Sequence, residues 1–317
     1  MNIVLVTPAR PHTRLGNRNT AMRWARMLRE LGHRVRVQVE WDGAPADAMI
    51  ALHARRSHDA IARFSQRYPG RPLVVVLTGT DLYRDIDTDA DARESLRLAT
   101  RLVTLHELPD GRLRQYRRKV RVVVQSAGAA APAPPLSSCF EVLVSGHLRD
   151  EKDPLRAAAA LEHLPQDSRI RVTHIGGALD DRLAAEAAAW MSRTRRYRWL
   201  GERTHGASLR LMRRAKVMVI SSKMEGGANV VCEALAAGTP VIASRIPGNI
   251  GMLGKDYAGY YTCGDERGLA ALLIKAESDK AFYALLKRQC AARRMLVSPR
   301  AERAALKRVM DELGGDY

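Results

Sequence analysis

The stretch SSKMEGGANVVCEALAAGTPVIAS, residues 221 to 244, sets two glutamates, Glu225 and Glu233, eight positions apart around a Gly-Gly-Ala-Asn run. Carboxylates repel phosphate but accept hydrogen bonds well from vicinal hydroxyls. Between them the backbone N–H groups of Gly226, Gly227, Ala228, Asn229 and Val230 lead into a helical pattern. Unpaired N–H groups at a helix start attract anions, and glycine lets a phosphate approach closely. A ligand with sugar hydroxyls at both ends and a diphosphate between them uses all three features, and a nucleotide sugar has that form. The competing reading is two exposed glutamates beside an ordinary turn.

Such residues need a scaffold. Val217 to Ser221 reads as a strand, Met224 to Ala228 as the loop at its carboxyl end, and Asn229 to Ala237 as a helix closed by Gly238 before Pro240. Similar alternation fills most of the chain. Apolar runs at Asn2–Thr7 and Val35–Val39, then near 48–52, 73–77, 102–105 and 121–124, read as strands separated by helical patterns. The Ala/Pro segment AGAAAPAPPL, residues 127–136, is the linker candidate. A second series follows at 140–144, 170–175, 197–200, 217–221 and 240–243, with helical pattern beyond about 265. Alternation of this kind builds parallel sheets, so the fold class expected is α/β, with two Rossmann-like, doubly wound domains facing across a cleft. Residues 1–135 form the first and 136–317 the second, with the last helix, 300–313, expected to pack back on the first.

Composition narrows the partners. The length of 317 residues suits two domains, and 46% apolar residues suit folded ones. With no run of about 18 uncharged apolar residues and no leader-like start, a cytoplasmic chain is expected. Cys139, Cys232, Cys263 and Cys290 are scattered, have no His or Cys at metal-ligand spacing and read as reduced structural thiols; no metal is expected, and no cofactor beyond the donor substrate. The net charge of +18 calls for an anionic partner. Aromatic residues are only 5%, with no ladder among the basic ones, which argues against single-stranded nucleic acid. Neither nucleic acid nor stable membrane association is expected.

The Glu-x7-Glu spacing followed by EALAAGTPVIAS resembles the retaining GT-B glycosyltransferases of the family-4 type. The resemblance implies that Glu225 contacts the transferred sugar and Glu233 the ribose hydroxyls. Gly146-His147-Leu148-Arg149-Asp150-Glu151-Lys152 resembles that family's Gly-Arg-Leu-x-x-Glu-Lys, which implies that Lys152 neutralises the leaving diphosphate. His147 stands at the family's Arg position, and Arg149 is the residue placed to supply the missing charge. Gly16-Asn17-Arg18 matches the loop that the family sets against the donor phosphates, before a helix expected at Asn19. His53 closes Asp47-Ala48-Met49-Ile50-Ala51-Leu52-His53, one residue longer than the family's Asp-x4-His, and would orient an acceptor unless it is a plain surface histidine. Thr78-Gly79-Thr80-Asp81 stands where the family has His-Gly-Thr-Asp, so the role of that His near the reacting carbon is not carried over.

A closer likeness lies within that superfamily. GNRNTAMRWARMLRELGH, WDG, ALHARRS and VVLTGTDLYRD resemble the selenosugar synthases of selenoneine biosynthesis. The resemblance implies transfer of a sugar, typically N-acetylglucosamine, from its UDP donor to the selenium of selenophosphate, leaving a 1-seleno-sugar, UDP and phosphate. It implies metal-independent chemistry, with Lys152, Arg149, Glu225 and His53 as the catalytic positions. Selenophosphate is small and multiply charged, so Arg14, Arg18, Arg55, Arg56 and Arg84, with Thr80 and Asp81, are the expected acceptor contacts. Two rivals stay open: a related transferase acting on a sugar or lipid alcohol, and a non-catalytic polyanion binder.

Overall fold

The structure, a computed structural model, describes residues 1–11, 16–107, 111–128 and 138–314. It contains two compact units. The first holds Met1–Gln125, the short segment Glu225–Ala228 and the residues from Pro299 on; the second holds Ser126–Met224 and Asn229–Ser298. The boundary expected at 135/136 falls outside the described residues, and the chain passes from one unit to the other between Gln125 and Ser126.

In the first unit six parallel strands run β1 (Asn2–Val6), β2 (Arg34–Gln38), β3 (Ala48–Leu52), β4 (Leu73–Leu77), β5 (Arg101–Thr104) and β6 (Val120–Val122), in the order β2-β1-β3-β4-β5-β6. The central strands AMIAL and LVVVL are buried at every residue, as strands covered on both faces must be. On one face Ile3, Leu5, Trp24 and Leu28 pack with Leu306, Val309 and Met310 of the helix Pro299–Gly314. On the other, Val4, Met49 and Ala51 pack with Ile61, Phe64 and Leu96. The last helix is held by more than apolar contact. Glu302, fully buried, accepts from Trp24 Nε1 at 2.7 Å and from Arg23 Nε at 2.8 Å.

The second unit repeats the plan with β7 (Phe140–Ser145), β8 (Ile170–Ile175), β9 (Tyr197–Trp199), β10 (Val217–Ile220), β11 (Val241–Ser244) and β12 (Tyr260–Tyr261), all parallel, ordered β12-β11-β10-β7-β8-β9. The tyrosine pair β12 is absent from the sequence reading because two residues make no periodic signal. In each sheet the order reverses at one point, between β1 and β3 and between β7 and β10. Loops leaving the carboxyl ends of those strands bound the crevice where ligands of such sheets bind. No helix among the described residues is long and apolar enough to cross a membrane.

Candidate functional site

In the second unit the crevice is built by the loops after β7 and β10. Beyond Ile220 the chain runs through Ser221–Ala228 into the helix Asn229–Ala237, which buries Val231, Cys232, Ala234 and Leu235 and stops at Gly238, with φ of 74°. Burying that face leaves Glu233 at the edge, its side chain 20% exposed. His205 Nδ1 lies 3.6 Å from Glu233 Oε1. His205 begins the helix His205–Arg214 behind the capping Thr204, and no motif in the sequence singled it out.

After β7, the segment from Gly146 to Lys152 is fastened at several points. Leu148 is fully buried and its N–H donates to Gly177 O at 3.0 Å, while Gly177 N–H donates to His147 Nδ1 at 3.1 Å. His147 thus spends one ring nitrogen on the neighbouring loop. Arg182 Nη2 holds Asp150 at 2.9 Å, and Lys223 N–H donates to Glu151 O at 2.9 Å. Lys152 ends a short turn, Asp150–Lys152, and Asp153 follows in the left-handed region with φ of 44°. Asp153 pairs with Arg156, which also binds Glu266. The guanidinium of Arg149 has its Nε buried with no hydrogen-bond partner, a donor left for a ligand to satisfy. Gly146, Lys152, His174, Ser222 and Val230 line one cavity, so the lysine motif and the start of the helix Asn229–Ala237 open onto the same space.

His174 is a site residue that motif reading missed. It is fully buried on β8, with Nδ1 2.9 Å from Tyr197 Oη and Nε2 3.0 Å from Gly146 O. A carbonyl only accepts, so Nε2 carries the proton and Nδ1 accepts from the tyrosine. Burial pushes the imidazole pKa down to about 4, against the opposing hydrogen bond to Gly146, and it is neutral.

In the first unit, His53 is 2% exposed, which excludes a surface histidine. It follows β3 with φ of 75°, a strained value for a non-glycine residue. Nδ1 accepts from Arg56 N–H at 3.2 Å, and Nε2 lies 2.9 Å from Thr80 Oγ1. Desolvation holds its pKa below the ordinary value, while the Asp81 carboxylate opposes this. Asp81, expected as an acceptor contact, is fully buried. Its Oδ1 accepts from Thr78 N–H at 2.8 Å and Gly79 N–H at 2.9 Å, and its Oδ2 from Ala54 N–H at 2.9 Å. It ties the loops after β3 and β4 and is spent on backbone, which corrects its expected role.

The arginines divide. Arg55 pairs with Asp89 at 2.7 Å and Arg84 with Asp85 at 2.9 Å, so each is matched by a carboxylate. Arg56 is exposed and Arg18 half-buried. Arg14 lies outside the described residues. Gly16, Asn17 and Arg18 are not a loop but the first turn of the helix Gly16–Glu30, and Asn17 Nδ2 donates to Thr78 Oγ1 at 3.5 Å.

The glycine pair has a different reason from the one expected. Glu225 is buried, and the run it begins is packed within the first unit. A Cβ on Gly226 would collide with Thr78 and the Gly79 backbone, and one on Gly227, with φ of 140°, would meet Leu105 O at 2.9 Å. Backbone and the Leu105 side chain fill the space a side chain would need at these two positions. Of the five N–H groups expected as an anion site, only Asn229 and Val230 belong to the helix. Among the described residues, no three His, Cys, Asp or Glu side chains gather as metal ligands.

Residues 137–293 match the family described as Glycosyl transferases group 1. Among solved structures, Anabaena HepE in complex with UDP and glucose is 17% identical, with a TM-score of 0.77 over 98% of this chain and 100% of that one. The sucrose-phosphate synthase of Thermosynechococcus elongatus is 14% identical, with a TM-score of 0.81 over 100% of both chains. A glycosyltransferase from Rickettsia africae ESF-5 is 12% identical, with a TM-score of 0.76 over 100% of this chain and 99% of that one. No curated protein sequence matches the chain. The chain has the GT-B fold, two parallel six-stranded sheets, and its residues 137–293 match the family model of the group 1 glycosyl transferases.

Proposed function

We propose that the protein transfers N-acetylglucosamine from its UDP donor to the selenium of selenophosphate, without a metal. The observation that carries the donor half is a cavity of the second unit onto which Lys152 and Val230 both open. A cationic side chain and a helix start at one cavity suit a diphosphate. Arg149, with its buried unmatched Nε, adds a second cation on the same loop. Glu233, four residues into the helix, is assigned to the ribose hydroxyls and Glu225 to the sugar. HepE, a structural neighbour, was crystallised with UDP-glucose, which supports a nucleotide sugar as donor.

The acceptor half is supported by the state of His53, whose ring nitrogens face the Asp81 and Asp85 carboxylates at 4.0 and 3.8 Å. Its Nδ1 accepts from Arg56 N–H, so Nε2 holds the proton and donates to Thr80. A residue in that state takes no proton from an alcohol. A selenium nucleophile that arrives ionised needs no base. Its lone pair forms the C1–Se bond as the C1–O bond breaks and its electron pair leaves on UDP, stabilised by Lys152 and Arg149. Water then cleaves the Se–P bond, releasing phosphate and the 1-seleno-sugar. With Arg55 and Arg84 paired to carboxylates, Arg18 and Arg56 are assigned first to the anionic acceptor.

The test is UDP release from UDP-N-acetylglucosamine with and without fresh selenophosphate, the sugar product being read by mass spectrometry. Selenium-dependent UDP release with a seleno-sugar product supports both halves. Donor binding without it keeps the donor site, removes selenophosphate and turns the search to sugar or lipid alcohols.

A further inference from the structure

We infer that His174 is a positioning residue for the donor site: through its Nε2–H on Gly146 O it sets the loop that carries Arg149 and Lys152. The inference rests on the donor reading above. It starts from Gly146, the first residue after β7, whose N–H is held by Ile175 O at 2.9 Å and whose carbonyl is held by His174 Nε2 at 3.0 Å. Both peptide groups of this residue are therefore fixed to β8 or to a side chain on it. The direction of the imidazole is fixed in turn by Tyr197 Oη on Nδ1, on the next strand.

The neighbourhood leaves this carbonyl little freedom. Gly176, with φ of 148°, is packed so closely on Gly146 O that any Cβ there would overlap it. Trp199 Nε1 donates to Gly176 O at 2.9 Å, so the packing residue is itself held. Tyr197 and Trp199 lie two residues apart on β9 and face the same side, as the strand period requires. Two aromatic donors on β9 thus act through β8 on one peptide after β7. That peptide is three residues before Arg149 and lines the same cavity as Lys152. A carbonyl turned by loss of its donor would carry the following loop with it. A partly buried carbonyl that loses its donor gains by turning towards another, so the peptide has reason to turn.

A histidine is suited to this because its two nitrogens have opposite roles at fixed separation. Glutamine can reproduce the Nε2 donor at similar reach, whereas asparagine reaches only to the Nδ1 position. His174→Gln and His174→Asn therefore separate holding Gly146 from filling the core.

The experiment measures UDP affinity by calorimetry for the wild type, His174→Gln, His174→Asn, Tyr197→Phe and Lys152→Ala, with folding checked by circular dichroism and thermal unfolding. The expected result is near wild-type affinity for His174→Gln, about tenfold weaker binding for His174→Asn, and an intermediate loss for Tyr197→Phe, which keeps the ring and frees Nδ1. Equal affinity in the Gln and Asn variants, or wild-type affinity in Tyr197→Phe together with His174→Asn, overturns the positioning role. If His174→Asn does not fold, Tyr197→Phe decides. Unchanged affinity in Lys152→Ala instead overturns the donor reading, and the two failures are thereby distinct.

Discussion

His53 and Thr80 are joined by a 2.9 Å contact from Nε2 to Oγ1, and the Arg56 N–H on Nδ1 makes the histidine the donor in it. The threonine hydroxyl is left to donate its own proton elsewhere. Replacing Thr80 by Val keeps the shape and removes the acceptor, leaving a buried imidazole N–H unmatched. Denaturant titration should show a loss of about 1–3 kcal/mol. Thr80→Ser should restore it. Wild-type stability in Thr80→Val would mean that Nε2–H is satisfied elsewhere.

Charge on the leaving diphosphate is assigned to Lys152 and Arg149. Lys152→Ala should lower UDP release by roughly 10²–10³-fold, the scale for one preorganised donor at a developing charge. Arg149→Ala should cost less, since one loop cation remains. Thermal midpoints should stay near wild type, because both residues are incompletely buried. Incubation with a chelator should leave turnover unchanged, and a loss restored by a divalent ion would refute the metal-independent mechanism.

The glycine pair predicts a packing effect separable from catalysis. Gly227→Ala adds strain at φ of 140° and a clash with Leu105. Gly226→Ala meets Thr78 and Gly79 backbone. Overpacking of this kind costs about 1–3 kcal/mol. Gly238→Ala, at φ of 74° but with nothing nearby, should cost only the left-handed strain of about 1–2 kcal/mol, less than Gly227→Ala, which adds a clash to it. Chemical denaturation of the three variants checks the ranking; equal losses at Gly227 and Gly238 with none at Gly226, which has no positive φ, would show that backbone strain alone governs.

Acid stability should carry the mark of His174. Its pKa in the fold is about 4, below the ordinary 6.5, because burial disfavours the imidazolium. Between those values the unfolded chain takes up a proton that the fold refuses, so stability is full above pH 6.5 and falls as pH drops towards 4. The loss should be about 3 kcal/mol, from 1.36 kcal/mol per pKa unit. Urea titrations at pH 7 and 4.5 of the wild type and His174→Gln isolate it. The variant should lose less on acidification, and parallel losses would assign the acid sensitivity to other groups.

The buried Glu302 holds the last helix to the first sheet through Trp24 and Arg23. Glu302→Ala leaves a guanidinium and an indole N–H without it and should cost about 3–5 kcal/mol in denaturant unfolding. Glu302→Gln, which still accepts from Trp24, should cost less.

Much of the architecture was legible in the chain itself. Apolar runs such as AMIAL and LVVVL alternate with helical periods, and that alternation can be satisfied only by parallel sheets covered on both faces. The strand, loop and helix around Glu225 and Glu233 were also readable, because Gly238 and Pro240 end the helix by local backbone rules. What could not be read was the use of each polar group. Asp81 resembles a ligand contact in sequence, yet three backbone N–H groups consume it; Gly226 and Gly227 resemble a phosphate loop, and the structure adds a packing reason for both, since neighbouring atoms leave no room for a Cβ.

His174 shows the same division from the other side. In sequence it is one histidine in an apolar strand, with its partners Gly146 and Tyr197 at separations of 28 and 23 residues. Local propensity acts over a few residues, so the chain by itself determined where strands, helices and their ends lie and which loops leave the strand ends. Hydrogen-bond satisfaction in the interior depends on which strands become neighbours. Only the tertiary structure decided which histidines are spent, which carboxylates are taken by backbone, and which cations share a cavity.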